Sequence, residues 1–433
     1  MRERICAKNN LKNMLRFKGL YPCDFEKVFN WVLIQEEIRH PALTVKERLS
    51  FTARRVLSLL LHLLFKYSTM KIKNISANST VLFLFLPEGR SDSKKMFSDV
   101  ANTIAHRHYD LVIWEKCRSF SLKRSLKMVQ LFASWWNALR QQEYGFITKM
   151  LILKILTDIK DKQDELEETY KGLIKFKLTV FFYDASPFDN YFSQLLQASG
   201  STTATLQHGV MLAPRSGLED NIDFVGGEFK NSVSDYFLVW NEFTRREAVK
   251  AGISMDKIKV LGIAKCLGLP PFKPTLRKTF GVILDGFYEK ENNPVMIEIA
   301  CSFAKQAGYR FIVRYHPNFR GDEYTDIIPK ALGEECSKTV SLEDFANNVS
   351  FCIISNSTVM FEFLYRRMDV FHYSSSNDKF KDLPLKSFRS LSEFVGQFNL
   401  VENSKERELE DLVCQPRDIS SAYRNFFSNY CGN

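Results

Sequence analysis

The 433-residue chain lacks most of the patterns by which a sequence declares its chemistry. Nine cysteines (Cys6, Cys23, Cys117, Cys266, Cys301, Cys336, Cys352, Cys414 and Cys431) never form a C-x-x-C pair, so neither a zinc site nor a disulfide framework is expected. A reducing, cytoplasmic compartment follows. No D-x-D occurs, which argues against a divalent ion held by such a pair, and no metal ligand is assigned. There is no P-loop, and no G-x-G-x-x-G follows a strand, so dinucleotide redox chemistry is unsupported. Zinc-finger spacings and RNP-like aromatic motifs are missing, and no nucleic-acid partner is expected. Long apolar runs are missing too. Arg55 to Tyr67 (RVLSLLLHLLFKY) is the most apolar stretch, yet it falls short of the roughly 20 residues that span a bilayer and predicts a buried or interfacial helix. The opening MRERICAKNN has no apolar h-region of a signal peptide.

What is present fits a soluble α/β protein, with 45% hydrophobic and 25% charged residues. The length exceeds what one core usually serves, so two domains are expected. The net charge of +10 is uneven, since residues 1–75 hold fifteen Lys or Arg against six Asp or Glu. A second basic stretch, Arg118 to Lys160, interleaves cations with Phe120, Phe132, Trp135 and Trp136. Such mixtures suit an anionic membrane surface, although solvated faces of ordinary helices would carry the same charge.

Along the chain, residues 1–75 read as a basic helical layer. Residues 76–265 read as a first Rossmann-like domain with a helical insertion. Its strands are STVLFLFL, LVIW, LTVFFY, TTATLQ, DYFLVW and IKVL, and the alternating charge of DIKDKQDELEETYK predicts an exposed helix. Ala264 to Thr275 (AKCLGLPPFKPT) has the composition of a linker. Residues 276–400 read as a second doubly wound domain, with strands near Thr279–Leu284, Tyr309–Tyr315, Phe351–Ile354 and Val370–Tyr373. Residues 401–433 read as terminal helices.

Candidate site residues lie at strand ends, where open α/β sheets bind ligands. His208, in Gln207-His208-Gly209, follows the strand TTATL and is read as the floor of an active site, although a backbone-bonded loop histidine is the plainer alternative. Among nearby acids, Asp184 directly ends LTVFFY and is the first choice for a base or nucleophile; Glu228 is a further candidate, whereas Asp189 is better read as a helix cap. Arg314 and His316, two apart at a strand end, share a face and can both donate to phosphate. Ser355-Asn356-Ser357-Thr358 joins a strand to a helix, where small polar residues cap the helix or hold phosphate. Glu362 follows on that helix, placed to accept ribose hydroxyls or simply to be solvated.

Gln207-His208-Gly209, DYFLVW…AGISMDKIKVLGIAK, the RYHP strand end and SNST…E before VFHY together resemble bacterial surface-polysaccharide transferases of GT-B type, over about residues 178 to 375. CDP-glycerol glycerophosphotransferases have a histidine-glycine pair and an R-x-H-P element in comparable order, matching His208 and Arg314 with His316. CMP-sugar-using sialyl and Kdo transferases are similar in an H-P element that holds CMP, but they carry an acidic D/E-D/E-G or E-N-G segment where this chain has Gln207-His208-Gly209. The resemblance implies a GT-B fold, two Rossmann-like domains facing a cleft. It further implies a metal-independent glycosyltransferase of capsule or lipopolysaccharide assembly, peripheral at the cytoplasmic face of the inner membrane. It would use a CMP- or CDP-type nucleotide sugar and a lipid-linked glycan acceptor, with no cofactor. Glycerophosphotransferase-like polyol-phosphate transfer, a non-catalytic scaffold subunit and nucleotide-sugar epimerisation remain alternatives, although the histidine-arginine-arginine-glutamate signature of 2-epimerases is missing.

Overall fold

A computed structural model of the chain describes residues 17–30, 45–76, 78–86, 91–170, 176–213, 231–273, 275, 277–286, 290–316, 323–337, 339–375, 378–400 and 406–431. They belong to two units. The first comprises Met1–Val239, Glu247–Lys259 and Tyr423–Asn433, and the second Trp240–Arg246 and Val260–Ala422.

The first unit runs α1 (Val45–Leu64), β1 (Phe65–Asn74), β2 (Val81–Phe85), α2 (Ser91–Ala101), β3 (Tyr109–Phe120), α3 (Leu122–Arg140), α4 (Phe146–Thr169), β4 (Leu178–Phe181), α5 (Pro187–Ala198), β5 (Thr202–Leu206) and β6 (Tyr236–Val239). Helix α6 (Glu242–Lys250) and strand β7 (Ile258–Val260) follow. The sheet order is β1-β3-β2-β4-β5-β6-β7. Strands β3, β2, β4, β5 and β6 pair in parallel. All of VLFLF in β2 is buried, the continuous apolar pattern of a strand covered on both faces.

Two expectations for this unit are corrected. Residues 1–75 are not wholly helical, because Phe65 to Asn74 form β1, antiparallel to β3 at the sheet edge. The apolar run ending at Tyr67 thus crosses a helix-to-strand junction, and Lys71 and Lys73 stand on the exposed face of the edge strand. The helix carrying DIKDKQDELEE is not exposed either. In α4, Lys160, Asp161, Lys162 and Gln163 are buried. Their charges meet tertiary partners instead of water. Asp161 accepts from Arg124 Nε at 3.0 Å and Nη2 at 2.6 Å, Lys162 Nζ donates to Ser68 Oγ at 2.8 Å, and Glu165 accepts from Trp114 Nε1 at 2.9 Å. Alternating charge looks the same in sequence whether its partners are water or neighbouring elements. The helical expectations for residues 1–16 and 31–44 lie outside the described residues.

The second unit runs β8 (Thr279–Ile283), α7 (Asn292–Ala307), β9 (Arg310–Arg314), β10 (Gly333–Glu335), α8 (Leu342–Asn347), β11 (Phe351–Ile354), α9 (Val359–Tyr365), β12 (Asp369–Tyr373), β13 (Lys386–Phe388) and α10 (Leu391–Phe398). Helices α11 (Glu406–Val413) and α12 (Ile419–Ser428) come last, with the residues from Tyr423 onward belonging to the first unit. Its sheet, β10-β9-β8-β11-β12-β13, is parallel throughout. Strand order reverses between β8 and β11, which opens a crevice at their carboxyl ends. The core is aromatic: Phe280 stacks on Phe351 at 5.0 Å, and Phe303 meets Phe394 edge-on at 4.7 Å. Gly281 sits mid-strand because a Cβ there would lie 2.7 Å from the Phe345 ring. The proline-containing stretch after Ala264 is held to this unit. Arg366 Nε donates to the Pro270 carbonyl at 2.8 Å, and its guanidinium lies 3.5 Å over the Phe272 ring. Among the described residues no helix is long and apolar enough to cross a membrane.

Candidate functional site

In the second unit the chain's chemistry gathers where β8 and β11 diverge. Asp285, buried just past β8, bridges that point: its Oδ1 accepts from the Asn356 amide at 2.8 Å and its Oδ2 from Asn292 Nδ2 at 2.8 Å. One carboxylate thus fixes the turn after β11 and the start of α7. Asn356 in turn accepts from the Lys379 amide through Oδ1 at 2.9 Å. Sequence reasoning missed Asp285, although it directly follows an apolar strand, the same signal that singled out Asp184. His316 emerges past β9 with its ring over Gly286, where a Cβ would stand 3.6 Å from Cε1 and Nε2.

The other residues assigned to this unit divide. Ser355 Oγ is buried with no hydrogen-bond partner among the described residues, and so is Ser375 Oγ past the neighbouring strand β12. An orphaned buried hydroxyl costs about 1–3 kcal/mol, a debt that a ligand or water would cancel. Ser357 and Thr358 precede α9, a helix of seven residues, and Thr358 at its N-cap makes no side-chain capping bond. Glu362 is partly buried and paired: its Oε1 lies 3.2 Å from Lys265 Nζ. Arg314 ends β9, but Nη1 donates to the Val340 carbonyl at 2.9 Å and the guanidinium lies 5.6 Å over the Phe345 ring. It therefore braces the segment leading into α8. Fully buried His372 has Nδ1 3.1 Å from Ser387 Oγ, and its Nε2 lies 3.3 Å from Asp378 Oδ1 but off the line of a straight hydrogen bond. Burial alone would raise the Asp378 carboxyl; His372, the Ser374 hydroxyl and the Phe380 amide outweigh it and hold it below the usual range.

In the first unit, His208 follows β5, and its half-buried ring meets the side chains ending β4, 4.3 Å from Tyr183 and 5.2 Å from Phe182. Buried Gln207 steadies the turn: its amide donates to the Leu238 carbonyl at 3.0 Å and its Nε2 to the Gly209 carbonyl at 2.8 Å. Gly209 is required neither by backbone conformation, since its φ is not in the left-handed region, nor by crowding, since no described atom lies within 4 Å of its Cβ position. Further on, Glu247 Oε2 accepts from the Ala213 amide at 3.0 Å and pins the loop after His208.

Asp184 is buried and turned inward. Its Oδ2 accepts from Ser232 Oγ at 2.9 Å, the Val233 amide at 2.9 Å and the Ser234 amide at 2.8 Å. Its own amide donates to Thr205 Oγ1 at 3.1 Å. That geometry ties together the approach to β6 and the ends of β4 and β5. Asp189 is not the cap expected: Ser186 caps α5, and Asp189 accepts from the Tyr183 amide at 2.7 Å from inside the first turn. Burial, aided by the charge of Asp184, pushes its carboxyl well above the usual range, against the Tyr183 amide and Lys162. Glu228 lies outside the described residues. Among the described residues no three His, Cys, Asp or Glu side chains gather as metal ligands would.

No protein-family model matches the chain. No curated protein matches it either. Solved structures do. UDP-GlcNAc 2-epimerase from Neisseria meningitidis, bound to UDP-GlcNAc, is similar at TM-score 0.51 and 13% identity, over 81% of this chain and 98% of that one. A candidate UDP-N-acetylglucosamine 2-epimerase from Listeria monocytogenes is similar at TM-score 0.51 and 8% identity, over 81% of this chain and 95% of that one. At such identities the likeness is one of fold, and with the two predominantly parallel sheets it establishes a GT-B fold of two Rossmann-like domains.

Proposed function

We propose that the protein is a glycosyltransferase that moves a sugar from a nucleotide donor, of CMP or CDP type, to a lipid-linked or growing surface polysaccharide at the cytoplasmic face of the membrane. The observation carrying this reading is the pair of orphaned hydroxyls, Ser355 and Ser375, just past the neighbouring strands β11 and β12 of the second unit. Buried polar groups left open at that edge fit a phosphate-bearing ligand. His316 over Gly286 supplies a donor on the same edge, so the departing nucleotide would be stabilised by fixed dipoles without metal. His208 of the first unit is assigned to the transferred group.

Epimerisation of a UDP-sugar is the second reading, favoured by the fold shared with the two epimerase structures. The missing 2-epimerase signature weighs against it. The test is to incubate the purified protein with CMP-, CDP- and UDP-activated donors, with and without EDTA, and to follow products by mass spectrometry and NMR. A transferase hydrolyses a donor slowly or glycosylates an acceptor, and an epimerase inverts a sugar carbon. Inert donors would mean a scaffold, and activity lost to EDTA would mean that an ion neutralises the leaving group.

A further inference from the structure

The first unit carries an exposed apolar surface that its enzymatic reading does not use. On α1, Leu57, Leu60 and Leu64 are spaced along one face and are 44–57% exposed. Phe120, Leu122 and Leu126, at the end of β3 and along α3, are 56–64% exposed. The two groups adjoin. Arg124 Nη1 donates to the Leu63 carbonyl at 2.9 Å, Ser125 Oγ donates to the Leu64 carbonyl at 2.9 Å, and the rings of Phe65 and Phe120 lie 5.9 Å apart. Six large side chains therefore stand in water around one corner, where single exposed leucines would need no explanation but a contiguous group does.

The charge around that corner has one sign. No Asp or Glu occurs from Arg48 to Pro87, nor from Lys116 to Gln142, the two stretches that build it. Arg54, Lys116, Arg118 and Lys123 are exposed there, with the Arg118 guanidinium 4.3 Å over the Phe65 ring. The acids that do approach come from α4, underneath, and from the inner part of β3: Asp161 pairs with Arg124, Asp164 with Lys127 and Lys160, Glu165 with Lys66, and Glu115 with Lys71 and Lys94. Of the aromatic residues that sequence alone would offer to a membrane, only Phe120 stands at this surface, because Trp135 is buried with Nε1 donating to the Lys18 carbonyl, and Phe132 and Trp136 pack on the core.

We propose that the corner of α1 and α3 docks on an anionic lipid bilayer, with Leu57, Leu60, Leu64, Phe120, Leu122 and Leu126 entering the interface and the surrounding cations meeting the headgroups. Apolar contact and headgroup attraction act together in such binding. The proposal extends the membrane side of the function given above and is independent of its chemistry, since vesicle binding and donor binding are measured separately.

The test is flotation of the full chain with vesicles of phosphatidylcholine alone or mixed with phosphatidylglycerol. The protein should float with the mixed vesicles at low salt, not with pure phosphatidylcholine, and should be released as salt shortens the reach of charge. The double variant Leu60→Gln, Leu122→Gln should bind about ten-fold more weakly with an unchanged circular-dichroism spectrum. Leu269→Gln, at an exposed site of the second unit, should bind as the parent does. Failure to float at low salt, or unweakened binding by the double variant, would overturn the proposal. So would a concentration-dependent dimer in sedimentation that the double variant abolishes, which would assign the surface to a second copy.

Discussion

Replacing Asp184 separates two roles for a residue that sequence makes the leading catalytic acid. Its Oδ2 receives three hydrogen bonds of 2.8–2.9 Å, two of them from the backbone amides of Val233 and Ser234. Asp184→Asn keeps an oxygen for these donors but removes the charge, at a cost of about 1 kcal/mol per bond, or about 2–3 kcal/mol in all. Asp184→Ala leaves buried amides with no acceptor and should cost about 4–5 kcal/mol. At about 2–4 °C per kcal/mol for a domain of this size, the Asn variant should melt about 5–10 °C lower, and the Ala variant lower still. Calorimetry gives the shift, and hydrogen exchange localises it, because protection at Val233 and Ser234 should fall first. Nucleotide binding, placed in the second unit, should persist while the protein is folded. An Asn variant that melts with the parent yet loses turnover would refute this reasoning and return Asp184 to the role of base.

His208→Ala should lower turnover by roughly 100- to 10,000-fold with little change in nucleotide affinity, and His208→Gln should be about as damaging if proton transfer is the role; near-normal activity of the Gln variant in steady-state kinetics would reduce the histidine to a positioning group. Isothermal titration should find weaker nucleotide binding in His316→Ala with an unchanged melting temperature, whereas Arg314→Ala should chiefly destabilise the protein, by about 1–3 kcal/mol, through the lost bond to Val340. The first unit should lose stability in mild acid. Burial, with help from Lys154, Arg124 and Lys162 and against the Ser58 carbonyl, lowers the His62 pKa to about 4. The unfolded histidine titrates near about 6.5, so this stabilisation is complete above that pH and is lost as pH falls towards 4, by about 2 kcal/mol after allowance for solvent. In urea melts across that window, His62→Gln should flatten the slope.

Much of the second domain was legible because its signals are local. The cap of α8 is one: Ser341 Oγ accepts from the Asp344 amide at 3.0 Å, as the S-x-x-D spacing requires. Asn241 likewise caps α6 by accepting from the Thr244 amide at 2.9 Å. The short apolar run FCII, β-branched and bounded by polar residues, reads as a strand buried on both faces, and it is one. What sequence hid was tertiary. Nothing in FKYSTMKIKN distinguishes a frayed helix end from an edge strand until β3 lies beside it. The contrast between Asp184, turned inward on three donors, and His208, half-buried beside Tyr183, depends on loops distant in sequence. Ser375 looks like any serine in YSSS, and only its enclosure without a partner makes it a candidate.

The residues from Tyr423 onward impose an order on biosynthesis. Phe427 is fully buried in the first unit with its ring 5.3 Å from Phe83, and Thr80 Oγ1 donates to the Tyr430 carbonyl at 2.6 Å. A ribosome making this chain delivers β2 early and its partner Phe427 only after the whole second sheet has been translated, roughly twenty to seventy seconds later at ordinary elongation rates. Throughout that interval the nascent first unit holds an incomplete core, and Phe83 waits uncovered on that side. The second unit has no such wait, so the carboxyl-proximal sheet can mature before the amino-proximal one, and a stop codon placed before Tyr423 would damage the unit made first.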